Sequence, residues 1–334
     1  MTVRHFLLDT DLTPAEQASI LDAADQEKAA RPDRRGRVRP GPLTGLSVGL
    51  LFEKPSTRTR VSFEVAVAEL GGHPVVLDGG ATQIGRGETL ADTARVLSRY
   101  VDAIVVRTFG QDRLERLAEA ASVPVVNALT DYAHPCQALA DLQTIRAARG
   151  RLAGITLAYL GDGNNVAHSL LLAGAMAGLR VHIATPPGYE PFEQVVRHAN
   201  EIGAASGGEA LVMHDALEAA TDADILYTDV WASMGQEDQQ SHRELVFQPY
   251  RLDEKVLAAA QPDAVVMHCL PAHRDQEISA GVIDGPRSVV FDQAENRLHT
   301  SKAILAFLTG AANPGAAGPV ISDGAAGPAA GSAR

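Results

Sequence analysis

Two kinds of hydrophobic pattern alternate along most of this chain. Short runs of branched apolar residues predict buried strands, and longer segments with apolar residues three and four positions apart predict helices. Before residue 136 the predicted strands cover 46–52, 74–77, 103–106 and 123–127, and predicted helices cover 14–30, 88–100 and 111–120. Another helix, which contains Val61, Val65 and Ala68, follows the first strand and stops at Gly71.

The same alternation continues in the second half of the chain. After a predicted helix at 137–149, strands are predicted at 155–160, 181–184, 211–213, 225–228, 264–267 and 289–291, and helices at 165–177, 192–202, 253–260 and 301–308. Strands that alternate with helices indicate a parallel sheet covered on both faces. We therefore predict an α/β fold with two open parallel-sheet domains, and the chain crosses between them near 134–150.

The domain bounds follow from these patterns. Residues 1–135 are predicted to form the first domain and residues 136–300 the second. Residues 301–309 are expected to form a C-terminal helix that packs back on the first domain. Residues 310–334 are mostly Ala, Gly, Pro and Ser. Because such a segment cannot bury a core, we expect a disordered tail.

Composition narrows the class of protein. A chain of 334 residues with 46% hydrophobic content can bury a sizeable core, and its net charge of −12 argues against non-specific nucleic-acid binding. The only cysteines are Cys136 and Cys269, so a disulfide framework is not expected. The acidic residue Asp9 lies so close to the N-terminus that we do not expect a signal peptide. No apolar run approaches the ~18 residues of a membrane span. We expect a cytoplasmic protein without membrane contact.

The most informative stretch is Ser56-Thr57-Arg58-Thr59-Arg60, which lies where the first strand ends and a helix begins. The first N–H groups of a helix lack intrahelical partners, and the helix dipole is positive there. Such a turn binds phosphate, and Arg58 could add a two-pronged, charge-assisted contact. An ordinary helix cap with two solvated arginines is the alternative explanation of this stretch.

Other polar residues also follow predicted strands. Open parallel sheets bind ligands outside the carboxyl ends of their strands. Arg107, His134 and Gln137 follow strands of the first domain, whereas Asp229 follows strand 225–228 of the second. These positions predict a polar site along the sheet edges. Asp229 is suited to pair with an ammonium group.

The turn Gly161-Asp162-Gly163-Asn164-Asn165 is similar to a dinucleotide-binding fingerprint, since it follows a strand and opens a helix. However, the third glycine is missing, and the next strand ends in Ala184-Thr185 without the acidic residue that would bind a ribose. Both defects argue against a nicotinamide cofactor. Asn165 at the helix N-terminus is better suited to a carboxylate.

The segment from His268 to His273 offers two further interpretations. Its His, Cys and His residues suggest a metal site, but no second cluster of such residues completes a zinc set. Cys269 beside His268 suggests a thiol nucleophile. Neighbouring side chains in an extended segment point to opposite faces, so His268 is badly placed to activate the thiol.

Taken together, these motifs resemble the ornithine carbamoyltransferases of the aspartate/ornithine carbamoyltransferase family, from about residue 4 to 308. The segments 56–60 and 134–137 are similar to the carbamoyl-phosphate signature of that family, and the segments 229–235 and 268–271 to its ornithine-specific pattern. Gln293 stands where family members are expected to carry Glu, and the resemblance implies no role for it at the site.

The resemblance implies a role for each matching residue. It implies that residues 1–135 bind carbamoyl phosphate, that residues 136–300 bind ornithine, and that the active site lies in the cleft between them. The implied carbamoyl-phosphate ligands are Ser56, Thr57, Arg58, Thr59, Gln83 (from a neighbouring subunit), Arg107, His134, Gln137, Cys269, Leu270 and Arg297. The implied ornithine ligands are Asn165, Asp229, Ser233 and Met234. The implied catalytic residues are Arg107, His134, Asp229, Cys269 and Arg297.

The implied reaction transfers the carbamoyl group of carbamoyl phosphate to the side-chain amine of L-ornithine and gives L-citrulline, within arginine metabolism. Arg107 and His134 would stabilise the developing oxyanion. Because the leaving phosphate can accept the amine proton, no dedicated base, cofactor or metal is expected. The resemblance also implies a homotrimer or a multiple of trimers.

Three alternatives stay open from the sequence. The first is a carbamoyltransferase for another amine, such as aspartate, putrescine or an acylated ornithine, against which the segment 233–235 argues. The second is a nicotinamide-dependent oxidoreductase that uses the turn at 161–165. The third is an inactive binding protein of the same fold. Neither the direction of metabolism nor the assembly beyond a trimer follows from the sequence.

Overall fold

The computed structural model describes residues 3–34, 40–81, 87–232 and 240–310. Three of the predicted site residues, Gln83, Ser233 and Met234, lie outside these ranges, as does the predicted tail from residue 311 onward. Within the described residues, no helix is both long enough and apolar enough to cross a lipid bilayer.

The first half of the chain forms a four-stranded parallel sheet in the order β2-β1-β3-β4. Its strands are β1 (Ser47–Phe52), β2 (His73–Asp78), β3 (Ala103–Arg107) and β4 (Val125–Leu129). Its helices are α1 (Pro14–Arg34), α2 (Thr57–Glu69), α3 (Leu90–Leu97) and α4 (Gln111–Ala120). The central strands are apolar and fully buried, as a sheet covered on both faces requires.

Helix α5 (Pro135–Arg149) leads into a five-stranded parallel sheet in the order β7-β6-β5-β8-β9. Its strands are β5 (Thr156–Leu160), β6 (Arg180–Ala184), β7 (Glu209–Met213), β8 (Ile225–Thr228) and β9 (Val265–His268). The helices are α6 (Asn165–Met176), α7 (Glu193–Ser206), α8 (Ala216–Ala220), α9 (Gln240–Phe247), α10 (Glu254–Ala259), α11 (Ala280–Ile283) and α12 (Val290–Leu308). The predicted fold of two open parallel-sheet α/β domains is confirmed.

The prediction of a strand at 289–291 is wrong, because that segment begins the long helix α12. An isolated β-bridge between Val266 and Ser288 lies directly before this segment. Val290 and Phe291 already belong to the nineteen-residue helix α12, and its packing on α1, α2 and α5 overrides the β-preference of three residues. Arg297 therefore projects from the middle of a helix.

Helix α12 packs against α1, α2 and α5, so its last turns lie against the first half of the chain. The ammonium group of Lys302, which is almost fully buried, pairs there with Glu69 of α2 and lies 3.5 Å from Glu27 of α1. The predicted helix at 301–308 is the end of α12. The domain bound between residues 135 and 136 stays a prediction.

Candidate active site

A cavity of about 1170 Å³ lies between the carboxyl ends of the two sheets. From the first half, it is lined by the turns after β1 and β4 and by the end of β3. From the second half, it is lined by the turns after β5, β8 and β9. Both parallel sheets thus present their carboxyl ends to one space, where open α/β sheets bind ligands.

The turn after β1 presents hydroxyl groups and an arginine to the cavity. Ser56 is the N-cap of α2 in an extended conformation, yet its side chain makes no capping hydrogen bond, and it lines the cavity together with Thr57 and Arg58. The other arginine of the motif, Arg60, lies outside the cavity and pairs with Glu64 at 2.8 Å. The first turn of α2 therefore offers unused donors to a ligand.

Three arginines converge on this cavity without a carboxylate partner among the described residues: Arg58, Arg107 and Arg297. Burial lowers the pKa of Arg107 to about 10, and the positive charges of Arg297 and Arg58 act in the same direction. The Nε atoms of Arg107 and Arg297 are buried and have no hydrogen-bond partner in the described part of the chain. A bound anion with several negative charges would relieve both the repulsion and the missing hydrogen bonds.

His134 is held at the start of α5, where its backbone N–H donates to Ser169 Oγ at 2.9 Å. Burial, together with the charges of Arg297 and Arg107, holds the pKa of its imidazole well below the usual value. The ring is therefore neutral at pH 7. Within the described residues its Nδ1 atom has no partner.

Gln137 lies one turn further along α5 and is also buried. Its side-chain oxygen accepts from Arg297 Nη1 at 2.5 Å, while its amide nitrogen donates to Asp141 Oδ1 at 2.8 Å. Arg297 Nη2 donates to Thr59 Oγ1 at 3.3 Å. Helices α2, α5 and α12 are thus joined by hydrogen bonds at the bottom of the cavity.

On the opposite side of the cavity, Asp229 accepts three hydrogen bonds. Its Oδ1 atom accepts from the thiol of Cys269 at 2.9 Å and from its neighbouring backbone N–H at 2.8 Å, and its Oδ2 accepts from Asn164 Nδ2 at 3.1 Å. Desolvation raises the pKa of the Cys269 thiol well above its usual range, and the charge of Asp229 adds to this shift. Cys269 is therefore a neutral donor and no nucleophile at pH 7.

Asn165 and Leu270 also line the cavity. Asn165 opens α6, and its amide donates to the backbone oxygen of Thr130 at 2.6 Å across the cleft. Leu270 has a φ angle of 59°, a left-handed conformation that costs non-glycine residues about 1–2 kcal/mol. Backbone strain of this kind is concentrated at functional sites.

Several cavity residues were missed by the sequence reasoning. Asn164 caps α6 and holds Asp229, and the motif that pointed to Asn165 included it. Lys54, two residues before Ser56, pairs with Asp131 at 2.5 Å and lies 4.5 Å from the centre of the Phe109 ring. The buried pair of Asp162 and Arg243 at 2.8 Å gave no sequence signal, because the partners lie 81 residues apart.

His268 does not serve Cys269, in agreement with the sequence argument. Its Nε2 lies 3.1 Å from Glu277, and its Nδ1 accepts from the backbone N–H of Leu270 at 2.9 Å. The possible ligand atoms of Asp229, His268 and Cys269 lie within 4.8 Å of one another. Since both ring nitrogens of His268 already have partners, a metal ion there would displace existing hydrogen bonds.

Backbone conformation and close packing explain the two glycines of the turn after β5 without a bound dinucleotide. Gly161 has a φ angle of 142°, which other residues rarely adopt. A Cβ atom on Gly163 would lie 2.2 Å from the backbone nitrogen of Pro191. The backbone of another loop thus occupies the space next to Gly163.

Comparison with known proteins identifies the family. Residues 4–147 match the family model "Aspartate/ornithine carbamoyltransferase, carbamoyl-P binding domain", and residues 153–308 match "Aspartate/ornithine carbamoyltransferase, Asp/Orn binding domain". The chain belongs to the aspartate/ornithine carbamoyltransferase family. Within this family, the chain is 76% identical to the ornithine carbamoyltransferase of Parafrankia sp. (strain EAN1pec) over 308 residues, which are 92% of this chain and 96% of that protein.

Relatives from other organisms agree with this assignment to the carbamoyltransferase family. The ornithine carbamoyltransferase of Acidothermus cellulolyticus is 61% identical over 93% of this chain and 98% of that protein. The solved structure of the Pyrococcus furiosus ornithine carbamoyltransferase superposes with a TM-score of 0.87 at 50% identity, and the match covers 92% of this chain and 97% of that one. The arginine cluster thus lies in a cleft between the two domain types that define the family.

Proposed function

We propose that this chain transfers the carbamoyl group of carbamoyl phosphate to the side-chain amine of L-ornithine, and gives L-citrulline and phosphate. The observation that carries the proposal is the convergence of Arg58, Arg107 and Arg297 on one cavity without a carboxylate partner among the described residues. The 76% identity to a protein named ornithine carbamoyltransferase supports the choice of substrate.

The phosphate of carbamoyl phosphate is assigned to the first turn of α2, where Ser56, Thr57 and Arg58 line the cavity and Thr59 is buried behind them. Backbone N–H groups and hydroxyls would donate to the phosphate oxygens, and Arg58 would add a charge-assisted pair of bonds. Gln83, outside the described residues, stays a predicted phosphate ligand.

Replacement Arg58→Lys is expected to keep the fold but to weaken carbamoyl-phosphate binding by at least about 1.5 kcal/mol. Lysine keeps the charge but lacks the planar fork of the guanidinium group. Calorimetric titration with carbamoyl phosphate measures the change. The control is Arg60→Lys, since Arg60 pairs with Glu64 outside the cavity. Equal affinities in the two variants would remove Arg58 from the phosphate site.

The amino-acid substrate is assigned to the other side of the cavity. Asp229 and Cys269 would position the side-chain amine, and Asn165 would bind the amino-acid end together with Ser233 and Met234, which lie outside the described residues. Because Cys269 is a neutral thiol that already donates to Asp229, the carboxylate is fixed in one orientation. Its free lone pairs can then accept from an amine.

The reaction consists of one substitution at the carbamoyl carbon. The lone pair of the neutral amine attacks this carbon, a C–N bond forms, and negative charge develops on the carbonyl oxygen near Arg107 and His134. The bond from carbon to the bridging oxygen then breaks, and phosphate leaves into the positive field of Arg58. The proton lost by the amine goes to the phosphate. Atoms and charges balance without a further reactant.

The fraction of ornithine whose side-chain amine is neutral should determine how kcat/KM depends on pH. An alkyl amine with a pKa of about 10.4 gains tenfold in its neutral fraction per pH unit below that value. The depressed pKa of His134 and the raised pKa of Cys269 keep both groups neutral between pH 6.5 and 9. We therefore expect kcat/KM for ornithine to rise about tenfold per unit from pH ~6.5 to ~8.

Steady-state rates at saturating carbamoyl phosphate test this expectation. Asp141 is the site carboxyl that also titrates in this range, since burial raises its pKa to about 7. The variant Asp141→Asn removes that group, and the slope should persist in it. A flat profile in both proteins would mean that protonated ornithine is the substrate and that the enzyme contains a general base.

The direct test of the proposed function is a colorimetric citrulline assay with carbamoyl phosphate and ornithine. Aspartate, putrescine and N-acetylornithine are the competing acceptors, and a faster rate with any of these would replace ornithine. Titration of the protein with NADH, followed by fluorescence, tests the oxidoreductase alternative. The absence of carbamoyl transfer to every acceptor would favour an inactive binding protein.

Assembly and location remain predictions of the same proposal. A homotrimer would allow Gln83 to reach a neighbouring subunit's cavity, and light scattering after size-exclusion chromatography measures the assembly. A cytoplasmic location is supported by the two cysteines, both of which are free thiols.

A further inference from the structure

A buried network of hydrogen-bonded polar side chains lies at the cavity floor and joins α5, β8, β9 and α12. Apart from Gln137, its side chains lie outside the motifs found in the sequence. It contains Gln137 and Asp141 of α5, Tyr227 of β8 and Gln293 of α12, all at most 2% exposed. The family resemblance implies no role for Gln293. Gln293 is linked to Gln137 through Asp141, to which both glutamines donate a hydrogen bond.

The direction of the hydrogen bonds around Gln293 follows from one backbone group. The N–H of His268 can only donate, and it lies 2.9 Å from the side-chain oxygen of Gln293. The amide nitrogen of Gln293 must then point away from β9, and it donates to Asp141 Oδ1 at 2.7 Å. The second carboxylate oxygen of Asp141 accepts from Tyr227 at 3.1 Å.

Asp141 Oδ1 accepts from the Gln293 amide, so this oxygen carries no proton whether the carboxyl is ionised or neutral, and it determines the orientation of Gln137. Gln137 must present its amide nitrogen to Asp141, at 2.8 Å, and its oxygen to Arg297, at 2.5 Å. The reversed amide would place oxygen against oxygen at Asp141 and N–H against N–H at Arg297. Both contacts are buried, and such buried mismatches are costly.

We propose that Asp141 and Gln293 are positioning residues that hold the Gln137 amide with its oxygen toward the carbamoyl NH₂ group. This inference rests on the proposed function. A carbamoyl group has an oxygen that accepts and a nitrogen that donates. Arg107 and His134 are assigned to the oxygen, so a fixed acceptor at Gln137 selects one orientation of the group. The same acceptor rejects an acyl phosphate with CH₃ in place of NH₂.

The ratio of affinities for carbamoyl phosphate and acetyl phosphate measures this selection, because the two ligands differ only in NH₂ against CH₃. Calorimetric titration without ornithine gives both affinities, and inorganic phosphate reports on the phosphate site alone. We expect Gln293→Met to lower the ratio by about tenfold and to leave the affinity for inorganic phosphate unchanged within about twofold. Asp141→Asn should retain the ratio, since its side-chain oxygen can still accept from both glutamines.

A matched control is Gln143→Met. Gln143 is also a buried glutamine of this chain that donates to an aspartate, Asp25, at 2.9 Å, but it does not line the cavity. This control variant should keep the ratio. If Gln293→Met weakens inorganic phosphate as much as carbamoyl phosphate, or keeps the ratio, the positioning role is overturned.

Gln293→Glu gives a second test, which does not depend on the tolerance of the site for methionine. The introduced carboxyl would face Asp141 at about 2.7 Å, and two carboxyls so close share a proton. Around this carboxyl pair lie the titratable or charged groups of Asp9, Tyr227, Cys269 and Arg297. Burial raises the pKa of Asp9 to about 7, so the wild type, which retains both Asp9 and Asp141, is the reference for their titration. The pKa values of Tyr227 and Cys269 are raised well above their usual ranges, chiefly by burial, so neither titrates near neutral pH.

The affinity ratio in Gln293→Glu should therefore be retained near pH 6, where the shared proton reproduces the missing N–H donor, and should fall at higher pH, by more than the ratio of the wild type, as that proton is lost. A ratio that does not depend on pH would overturn the positioning role. If the wild-type protein shows no preference for carbamoyl phosphate, the proposed function itself fails. If the preference exists but no variant changes it, only the positioning role fails.

Discussion

Replacement Arg107→Gln should lower kcat by about 10²–10³-fold, the loss typical of a removed oxyanion donor. Arg107 ends β3, lies almost fully buried at the cavity, and is assigned to the carbonyl oxygen on which charge develops. Glutamine is shorter and uncharged, so it cannot stabilise that charge. Steady-state kinetics with both substrates saturating measures the effect.

The same substitution should leave the melting temperature unchanged or raise it. Burial and the charges of Arg297 and Arg58 lower the pKa of Arg107 to about 10, which means that the folded protein holds this positive charge less easily than the unfolded chain. Removal of the charge relieves that penalty at pH 7. The control is Arg60→Gln, on the surface and paired with Glu64. A fall of several degrees in the melting temperature of Arg107→Gln would indicate a structural role instead.

Replacement Asp229→Asn should lower kcat/KM for ornithine by about 10–10²-fold and leave the affinity for carbamoyl phosphate unchanged. A hydrogen bond to a charged group typically contributes about 1.5–3 kcal/mol, and Asp229 is the carboxylate assigned to the substrate amine. The phosphate turn lies on the other sheet, so its ligand should not sense the change. Kinetics with ornithine and calorimetry with carbamoyl phosphate measure the two effects separately.

The structure offers a matched control for this aspartate. Asp253 is the N-cap of α10 and accepts from two backbone N–H groups at 3.0 Å, away from the cavity. Since asparagine is an equally good N-cap, Asp253→Asn should behave as the wild type. If Asp229→Asn weakens both ligands to the same extent, Asp229 supports the fold of the cleft and the assignment of one substrate to each sheet is wrong.

The sequence by itself was sufficient to predict the two parallel sheets and the ends of strands where chemistry occurs. Apolar runs such as 103–106 and 225–228 are local signals, and the residues that follow a strand must lie at its carboxyl end. Ser56, Arg107 and Asp229 could therefore be placed at sheet edges without a structure. The resemblance to the family further predicted that the edges of the two sheets face each other across one cleft.

Only the tertiary structure decided how these residues act on one another. Val289–Phe291 has a strand-like composition, but the packing of α12 on α1, α2 and α5 makes the segment helical. Gln293 and Asp141 meet across 152 residues of sequence, and the pKa of Arg107 is lowered by burial and then by the charge of Arg297, from the far end of the chain. Hydrophobic periodicity and turn preferences are local properties that a sequence displays directly. Burial and electrostatic coupling depend on which distant segments become neighbours, and this is settled only when the chain has folded.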